Sequence, residues 1–304
     1  MDDAPIIAMT GATGFVGRYL VQNLAEQGYR VKALVRPGSL NKTIDHPNIN
    51  WLEGELGNVV SEMSLCSGAG TVIHLAGLIT ARTRAEYFKT NANAVGHLAK
   101  TANGAGVKRF VLLSSLAARE PNLSAYAASK RAGEGALARN LGAMKAVAVR
   151  APAVFGAGDK ATAPFYKLIA NGKLPCPGGK DWQNRVISLV HVDDLVAFLA
   201  GPCLKGERDG KTTTIATRAR ISWPEFAGEC SAALARPVKP KAVPLLLLYM
   251  AAGMTSAVKR ISGRGHLTLD KLREFLHPDW SVDPEFESGT DLQFALKATI
   301  RPES

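Results

Sequence analysis

The sequence predicts an α/β protein with a doubly wound, mostly parallel sheet and a smaller C-terminal lobe. Three observations carry this. Short apolar strands and helix-spaced segments alternate from Ile6 to Val149, the order that builds parallel sheets covered on both faces. A glycine-rich turn, Gly11–Gly17, joins the first strand to the first helix. After about residue 158 the pattern loosens, and Pro and Gly cluster in Leu174-Pro175-Cys176-Pro177-Gly178-Gly179.

In order, Ile6–Met9 reads as a buried strand, and Arg18–Gln27 as a helix with Tyr19, Leu20 and Leu24 on one face, ended by Gly28. Arg30–Val35 and Thr71–Leu75 read as strands, Phe88–Asn103 as one helix, and Phe110–Leu113 as a buried strand. Ala125–Leu141 follows as a helix and Ala146–Val149 as a strand. The expected division is residues 1–158 with 186–218 for the larger domain that carries the glycine-rich turn, and 159–185 with 219–304 for the smaller lobe.

At 304 residues, 46% hydrophobic and 21% charged, the chain can bury a sizeable core. No apolar stretch reaches the roughly 18 residues that span a bilayer, and the acidic start Met1-Asp2-Asp3 does not read as a secretory signal. Cys66, Cys176, Cys203 and Cys230 lie far apart, which argues against a zinc ribbon or a disulfide scaffold. No histidine cluster has metal spacing, so no metal is expected. A cytoplasmic protein with free thiols is the expectation. The net charge of +11 is concentrated in residues 101–200, where 13 basic and 6 acidic residues leave +7. Lys160, Lys167, Lys173, Lys180 and Arg185 carry much of it, as a solvated surface or, alternatively, as a segment that attracts phosphate or another anion. They are not interleaved with aromatics, so nucleic acid is not an expected partner.

Glycines at 11, 14 and 17 let a backbone turn tightly and approach a pyrophosphate at the helix N-terminus. The next strand ends Val35-Arg36-Pro37, without the acid that would hold a ribose hydroxyl. Arg36 offers a planar cation to a 2′-phosphate, so NADP(H) is favoured over NAD(H). Tyr126 and Lys130, four apart, share one helix face, where an ammonium favours the phenolate of a group whose unperturbed pKa is about 10. Ser114 and Ser115 close the preceding strand.

With these residues the chain resembles the extended short-chain dehydrogenase/reductase superfamily, in its epimerase/dehydratase-like branch with a Rossmann fold. The likeness runs over roughly residues 6–200 and includes Thr10-Gly11 to Gly17, Glu53-Gly54-Glu55-Leu56 and Ile73-His74-Leu75-Ala76-Gly77. It continues through Asn91, Ser115, Tyr126, Lys130, Arg150-Ala151-Pro152 and His191-Val192-Asp193-Asp194. The resemblance implies that Tyr126 is the general acid/base, that Ser115 orients the substrate oxygen, and that Lys130 holds the nicotinamide ribose and lowers the tyrosine pKa. It further implies cofactor contacts from Gly11, Thr13, Gly14, Phe15, Val16, Gly17, Arg36, Glu55, Leu56, Leu75, Ala76, Gly77, Asn91, Tyr126, Lys130, Pro152 and Val154.

Departures from the pattern narrow the chemistry. Where sugar dehydratases of the family carry an Asp-Glu pair after the hydroxyl residue, this chain has Leu116-Ala117. Where nucleotide-sugar epimerases place an Asn after the proline, it has Ala153, and the usual third-strand Asp is Glu55. The Ser115-to-Tyr126 interval is short, which implies a trimmed loop. These features predict an oxidoreductase that reduces or oxidises a carbonyl/alcohol on a small, apolar substrate. The alternatives are a nucleotide-sugar epimerase and a nucleotide-binding structural or sensor subunit. His191 is expected to cap and pack, and His74 to be structural. Val243–Val258 carries no charge and, at about 24 Å as a helix, falls short of the roughly 30 Å hydrocarbon core. A buried or pocket-lining helix is the expectation there, with contact to a membrane surface, ahead of Lys259, Arg260 and Arg264, as the alternative. A homodimer is compatible with all of this.

Overall fold

The computed structural model describes residues 6–250, 252–253 and 269–300. The chain forms two compact units: the first runs through Arg150 and resumes over Leu195–Thr213, and the second comprises Ala151–Asp194 and the chain from Thr214 onward.

The first unit is built on a seven-stranded sheet. In chain order its elements are β1 (Ile6–Thr10), α1 (Phe15–Glu26), β2 (Val31–Val35), β3 (Ile49–Glu53), α2 (Val59–Cys66) and β4 (Ala69–His74). They continue with α3 (Arg84–Phe88), α4 (Ala94–Gly104), β5 (Arg109–Ser115), α5 (Ala125–Arg139) and β6 (Lys145–Ala151). The strand order is β6-β5-β4-β1-β2-β3, with the short strand Thr212–Thr213 outside β6. β1 pairs in parallel with β2 and β4, as do β2 with β3 and β4 with β5. Parallel strands are covered on both faces, so they read as continuous apolar runs. Ile7, Ala8, Met9, Val72, Ile73, Phe110 and Val111 are all buried.

Register matters for function. Thr10 stands opposite both Leu34 and His74, Val35 opposite Glu53, and His74 opposite Leu112. The turns that follow β1, β2, β3, β4 and β5 therefore leave from one edge of the sheet. Ligands of open parallel sheets bind at this carboxyl edge.

The second unit has a different plan. Val186–His191 is central, antiparallel to Arg218–Ser222 and parallel to both Ala153–Phe155 and Asp279–Trp280. A separate two-stranded parallel ribbon joins Lys173–Pro177 to Lys239–Val243. Its core gathers Phe155, Tyr166, Ile169, Trp223, Phe226 and Leu296. The helix Trp223–Leu234 opens with a capping box, in which Ser222 accepts from the Glu225 amide and the Glu225 carboxylate accepts from the Ser222 amide. Asp194 accepts from Thr217, Ser288 and Thr290, tying together three segments of this unit.

The boundaries fall at 150, 194 and 213, where the sequence suggested 158, 185 and 218. Pairing explains the difference: Ala153–Phe155, Val186–His191 and Arg218–Ser222 belong to the second sheet, so each goes with the second unit. The uncharged stretch at 243–258, expected to be a buried or pocket-lining helix or else a membrane-surface contact, is described only in part. Its described helical turn at 245–250 is not buried: Leu246 and Leu247 are 71% and 56% exposed. No helix among the described residues is long and apolar enough to cross a membrane.

Candidate active site

The glycine turn is enforced by close packing. Gly11 has φ +75°, and a Cβ there would lie 2.6 Å from the Ala76 amide nitrogen. At Gly17, in the first turn of α1, a Cβ would lie 2.0 Å from the Gly11 carbonyl oxygen. Glycine is required at both. The Gly14 amide donates to the Gly11 carbonyl at 2.9 Å, and Gly14 then caps α1 with no side-chain acceptor. The first amides of α1 are thus left without a side-chain partner beside an exposed glycine, a cradle suited to pyrophosphate. Thr13, Phe15 and Val16 are half-buried along this turn, with the Phe15 ring edge-on to Tyr19 at 5.9 Å.

The turn after β4 is clamped onto the same place. The Leu75 amide donates to the Thr10 carbonyl at 3.1 Å, and the Thr10 hydroxyl lies 2.9 Å from His74 Nδ1. His74 is fully buried, and desolvation, with the nearby Lys130 charge, pushes its pKa down to about 3, so the imidazole is neutral. Its role is structural, as its setting in the sequence suggested. Asn91 lies in a five-residue π-helical segment, Lys89–Asn93, between α3 and α4. Its Oδ1 accepts from the Leu78 amide at 2.8 Å, and its Nδ2 donates to the Leu78 carbonyl and to Ser129 Oγ. Asn91 therefore shapes the loop at Gly77, where an added Cβ would sit 3.1 Å from Asn91 Oδ1. The π segment carries the Asn91 carbonyl so close to α5 that a Cβ on Gly133 would lie 2.1 Å from it.

α5 begins at Ser124, whose side chain accepts from the Ala127 amide at 2.9 Å. Tyr126 is half-buried in the first turn, with its ring edge-on to Tyr87 at 6.1 Å. One turn on, Lys130 is buried and its Nζ donates to the Leu113 carbonyl at 2.7 Å. Burial lowers its pKa to about 8, against the opposing pull of Glu134. Leu113 lies two residues before Ser115, so the lysine is tied to the strand end that presents the serine. Ser115 caps a short 3-10 turn, Leu116–Arg119, and accepts from the Ala117 amide at 3.2 Å. That turn packs against α5.

Glu134, a further turn along α5, was not singled out from sequence. It accepts from Ser114 Oγ at 2.6 Å and pairs with Arg150 through two bonds of 2.9 and 2.6 Å. This network fixes the ends of β5, α5 and β6 to one another. The Tyr126, Lys130, Glu134 spacing was the available signal.

The remaining cofactor candidates differ in setting. Arg36 is exposed immediately after β2, and among the described residues no carboxylate pairs with it. Glu55 is exposed after β3, while Leu56 is half-buried against the core. Pro152 and Val154 belong to the second unit, where Val154 lies on the strand paired with Val186–His191. His191 packs its ring on Phe155 at 5.2 Å. No group of His, Cys, Asp or Glu suited to a metal occurs among the described residues, and all four cysteines are buried free thiols.

The chain matches the model of the NAD dependent epimerase/dehydratase family over residues 7–200. It belongs to that family, in which relatives are NAD(P)-dependent oxidoreductases or epimerases. It is 36% identical to the ceramide reductase of Caulobacter vibrioides over 92% of this chain and 87% of that one. It is 28% identical to the UDP-glucose 4-epimerase of Vibrio cholerae over 93% and 92%. Among solved structures, a UDP-glucose 4-epimerase from Thermotoga maritima with UDP-glucose superposes with TM-score 0.71 at 20% identity, covering 97% of each chain. The last establishes a shared fold.

Proposed function

We propose that the protein is an NADP(H)-dependent reductase of a ketone on an apolar, ceramide-like lipid. The observation that carries this reading is the 36% identity to a ceramide reductase across 92% of the chain, which reaches well beyond the family match at residue 200. Three local features agree with it. Leu116 and Ala117 are buried apolar residues in the place of dehydratase acids. Ala153 offers no amide to a nucleotide sugar, and Arg36 stands where a 2′-phosphate would be read.

When bound, a reduced nicotinamide supplies hydride to the carbonyl carbon. The chain's part is the proton. Tyr126 Oη–H donates to the carbonyl oxygen, so the C=O bond becomes CH–OH and the phenolate is reprotonated from water. Ser115 Oγ–H donates a hydrogen bond to the same oxygen and orients it. Lys130 Nζ, held by the Leu113 carbonyl, would stabilise the phenolate by charge and donate to the ribose hydroxyls of a bound cofactor. The glycine turn and the amides of α1, free of a side-chain cap, would hold the pyrophosphate.

The test is turnover of a long-chain N-acyl amino ketone, with NADPH loss matched to alcohol formed by mass spectrometry. Equal amounts of each are expected. Interconversion of UDP-glucose and UDP-galactose on tightly held NAD, without lipid reduction, would replace this reading with the epimerase. Nucleotide binding without turnover of either would favour a sensor subunit.

A further inference from the structure

The second unit carries an apolar surface that nothing in the reductase chemistry uses. The ribbon strand Lys239–Val243 leads through Pro244 directly into the helical turn at 245–250. Within that turn Leu245, Leu246, Leu247, Tyr249 and Met250 are all exposed, so it is apolar on nearly every side. Scattered exposed leucines need no explanation, but five large apolar side chains in six residues form a contiguous patch.

The charge along the sequence that flanks the patch has one sign. From Cys230 to Leu269 the chain has no Asp or Glu, yet it holds Arg236, Lys239, Lys241, Lys259, Arg260 and Arg264. On the ribbon, Lys239 pairs in register with Lys173, and Lys173, Lys239 and Lys241 are all exposed. Among the described residues no carboxylate answers these three lysines.

We propose that this turn and its lysine-bearing ribbon dock the protein on an anionic lipid bilayer. The occupant follows from the two observations together. An apolar insertion of this size holds a surface only weakly, and stable attachment needs a second signal such as a basic cluster. Anionic headgroups supply the countercharge, at roughly fivefold in affinity per lysine near the surface. A second copy of the same face would instead oppose the exposed Lys173, Lys239 and Lys241 with the same three cations. No helix among the described residues is long and apolar enough to cross, so the turn is placed among the headgroups with its leucines towards the acyl chains. Such docking would bring the protein to where an apolar lipid substrate resides, but the inference rests on exposure and charge and stands without the reductase assignment.

The experiment is flotation of the full-length protein with vesicles of phosphatidylcholine alone and of phosphatidylcholine mixed with phosphatidylglycerol. Binding to the anionic vesicles, weakened by added salt, is expected. Leu246→Glu with Leu247→Glu should reduce it by about tenfold or more. Lys239→Glu with Lys241→Glu should reduce it similarly and flatten its salt dependence. Both pairs are exposed, and circular dichroism checks folding; Tyr249→Ser provides a milder variant expected to weaken binding severalfold. Absence of binding to anionic vesicles, or binding indifferent to both double variants, would overturn the proposal. So would a dimer in sedimentation that dissociates in the leucine variant, because a second copy would then be the occupant. Reduction of a short, water-soluble ketone without vesicles reports on the catalytic reading separately, and its KM and kcat should not change in either double variant.

Discussion

The two units of this protein solve the same burial problem in opposite ways. The first uses a parallel sheet whose strands share one register, so five successive turns leave from a single edge and residues far apart in sequence converge. The second uses short strands around Val186–His191, a lysine-rich ribbon and cross-ties such as Asp194 to Thr217, Ser288 and Thr290. The family model spans residues 7–200, which takes in the whole of the first unit's parallel sheet from β1 to β6 and also residues 151–194 of the second unit. A regular lattice holds chemistry common to a family, and an irregular one leaves room for a chain's own substrate and surfaces. The comparison predicts that changes in the first unit strike chemistry or cofactor, whereas changes in the second strike stability or localisation.

The largest expected effect tests the first half of that statement. Tyr126→Phe keeps the ring and its edge contact with Tyr87 but removes the proposed proton donor. Single-turnover reduction should slow by at least about 100-fold, with cofactor affinity within about twofold of wild type. Full turnover in this variant would break the comparison at its centre. Next in size is Arg36→Ala. A charge-assisted contact with a 2′-phosphate should make NADPH bind roughly ten- to a hundredfold tighter than NADH, and the variant should lose that preference. Equal affinities in the wild type, measured by calorimetry, would remove Arg36 from the cofactor site.

What the sequence made legible follows the same division. The glycine turn, the Tyr126–Lys130 pair and the strand end at Ser115 depend on spacing within a few residues, and each stands in the first unit on the expected element. β3 and α2 escaped because α2 inverts the usual pattern. Val59, Val60 and Met63 are exposed, while Glu62 is buried and accepts from the Gly57 amide and Thr101. No hydrophobic period can reveal such a helix. Phe88–Asn103 read as one helix, but its start is the π segment that delivers Asn91, a distortion stabilised by contacts with Leu78 and Ser129. Glu134 was hidden for a similar reason, since its partners Ser114 and Arg150 become neighbours only after the sheet forms. In the second unit, Val186–His191 gains its partners from segments that begin at residues 153, 218 and 279, a pairing that no local window contains.

A smaller effect sharpens the picture of the buried lysine. Lys130 has a folded pKa of about 8 against an ordinary value of 10.5, because burial penalises its charge. Between those values the unfolded chain retains a proton that the folded chain has released, so stability rises with pH across the window. Below about pH 8 the penalty is present in full and contributes no slope. Denaturant titrations should therefore show the wild type gaining stability relative to Lys130→Met from about pH 8 to 10.5. A constant difference across that range would mean that Lys130 titrates normally and is poorly suited to tune Tyr126.

The smallest effect is the most direct comparison of the two units, because the same chemistry occurs in both. Ser124 caps α5 by accepting from the Ala127 amide, and Ser222 caps Trp223–Leu234 by accepting from the Glu225 amide. Removing either cap should cost about 1 kcal/mol, seen as a fall of about 2 °C in Tm. The consequences then diverge. Ser124 is two residues from Tyr126, so fraying the first turn of α5 loosens the phenol, and Ser124→Ala should lower kcat severalfold with little change in NADPH affinity. Ser222→Ala frays a helix that bears none of the proposed catalytic groups, so kcat should hold while the amides of Trp223–Leu234 lose protection in hydrogen exchange. Equal losses of turnover from the two substitutions would show that catalysis depends on global stability alone, and the division of labour between the units would fall.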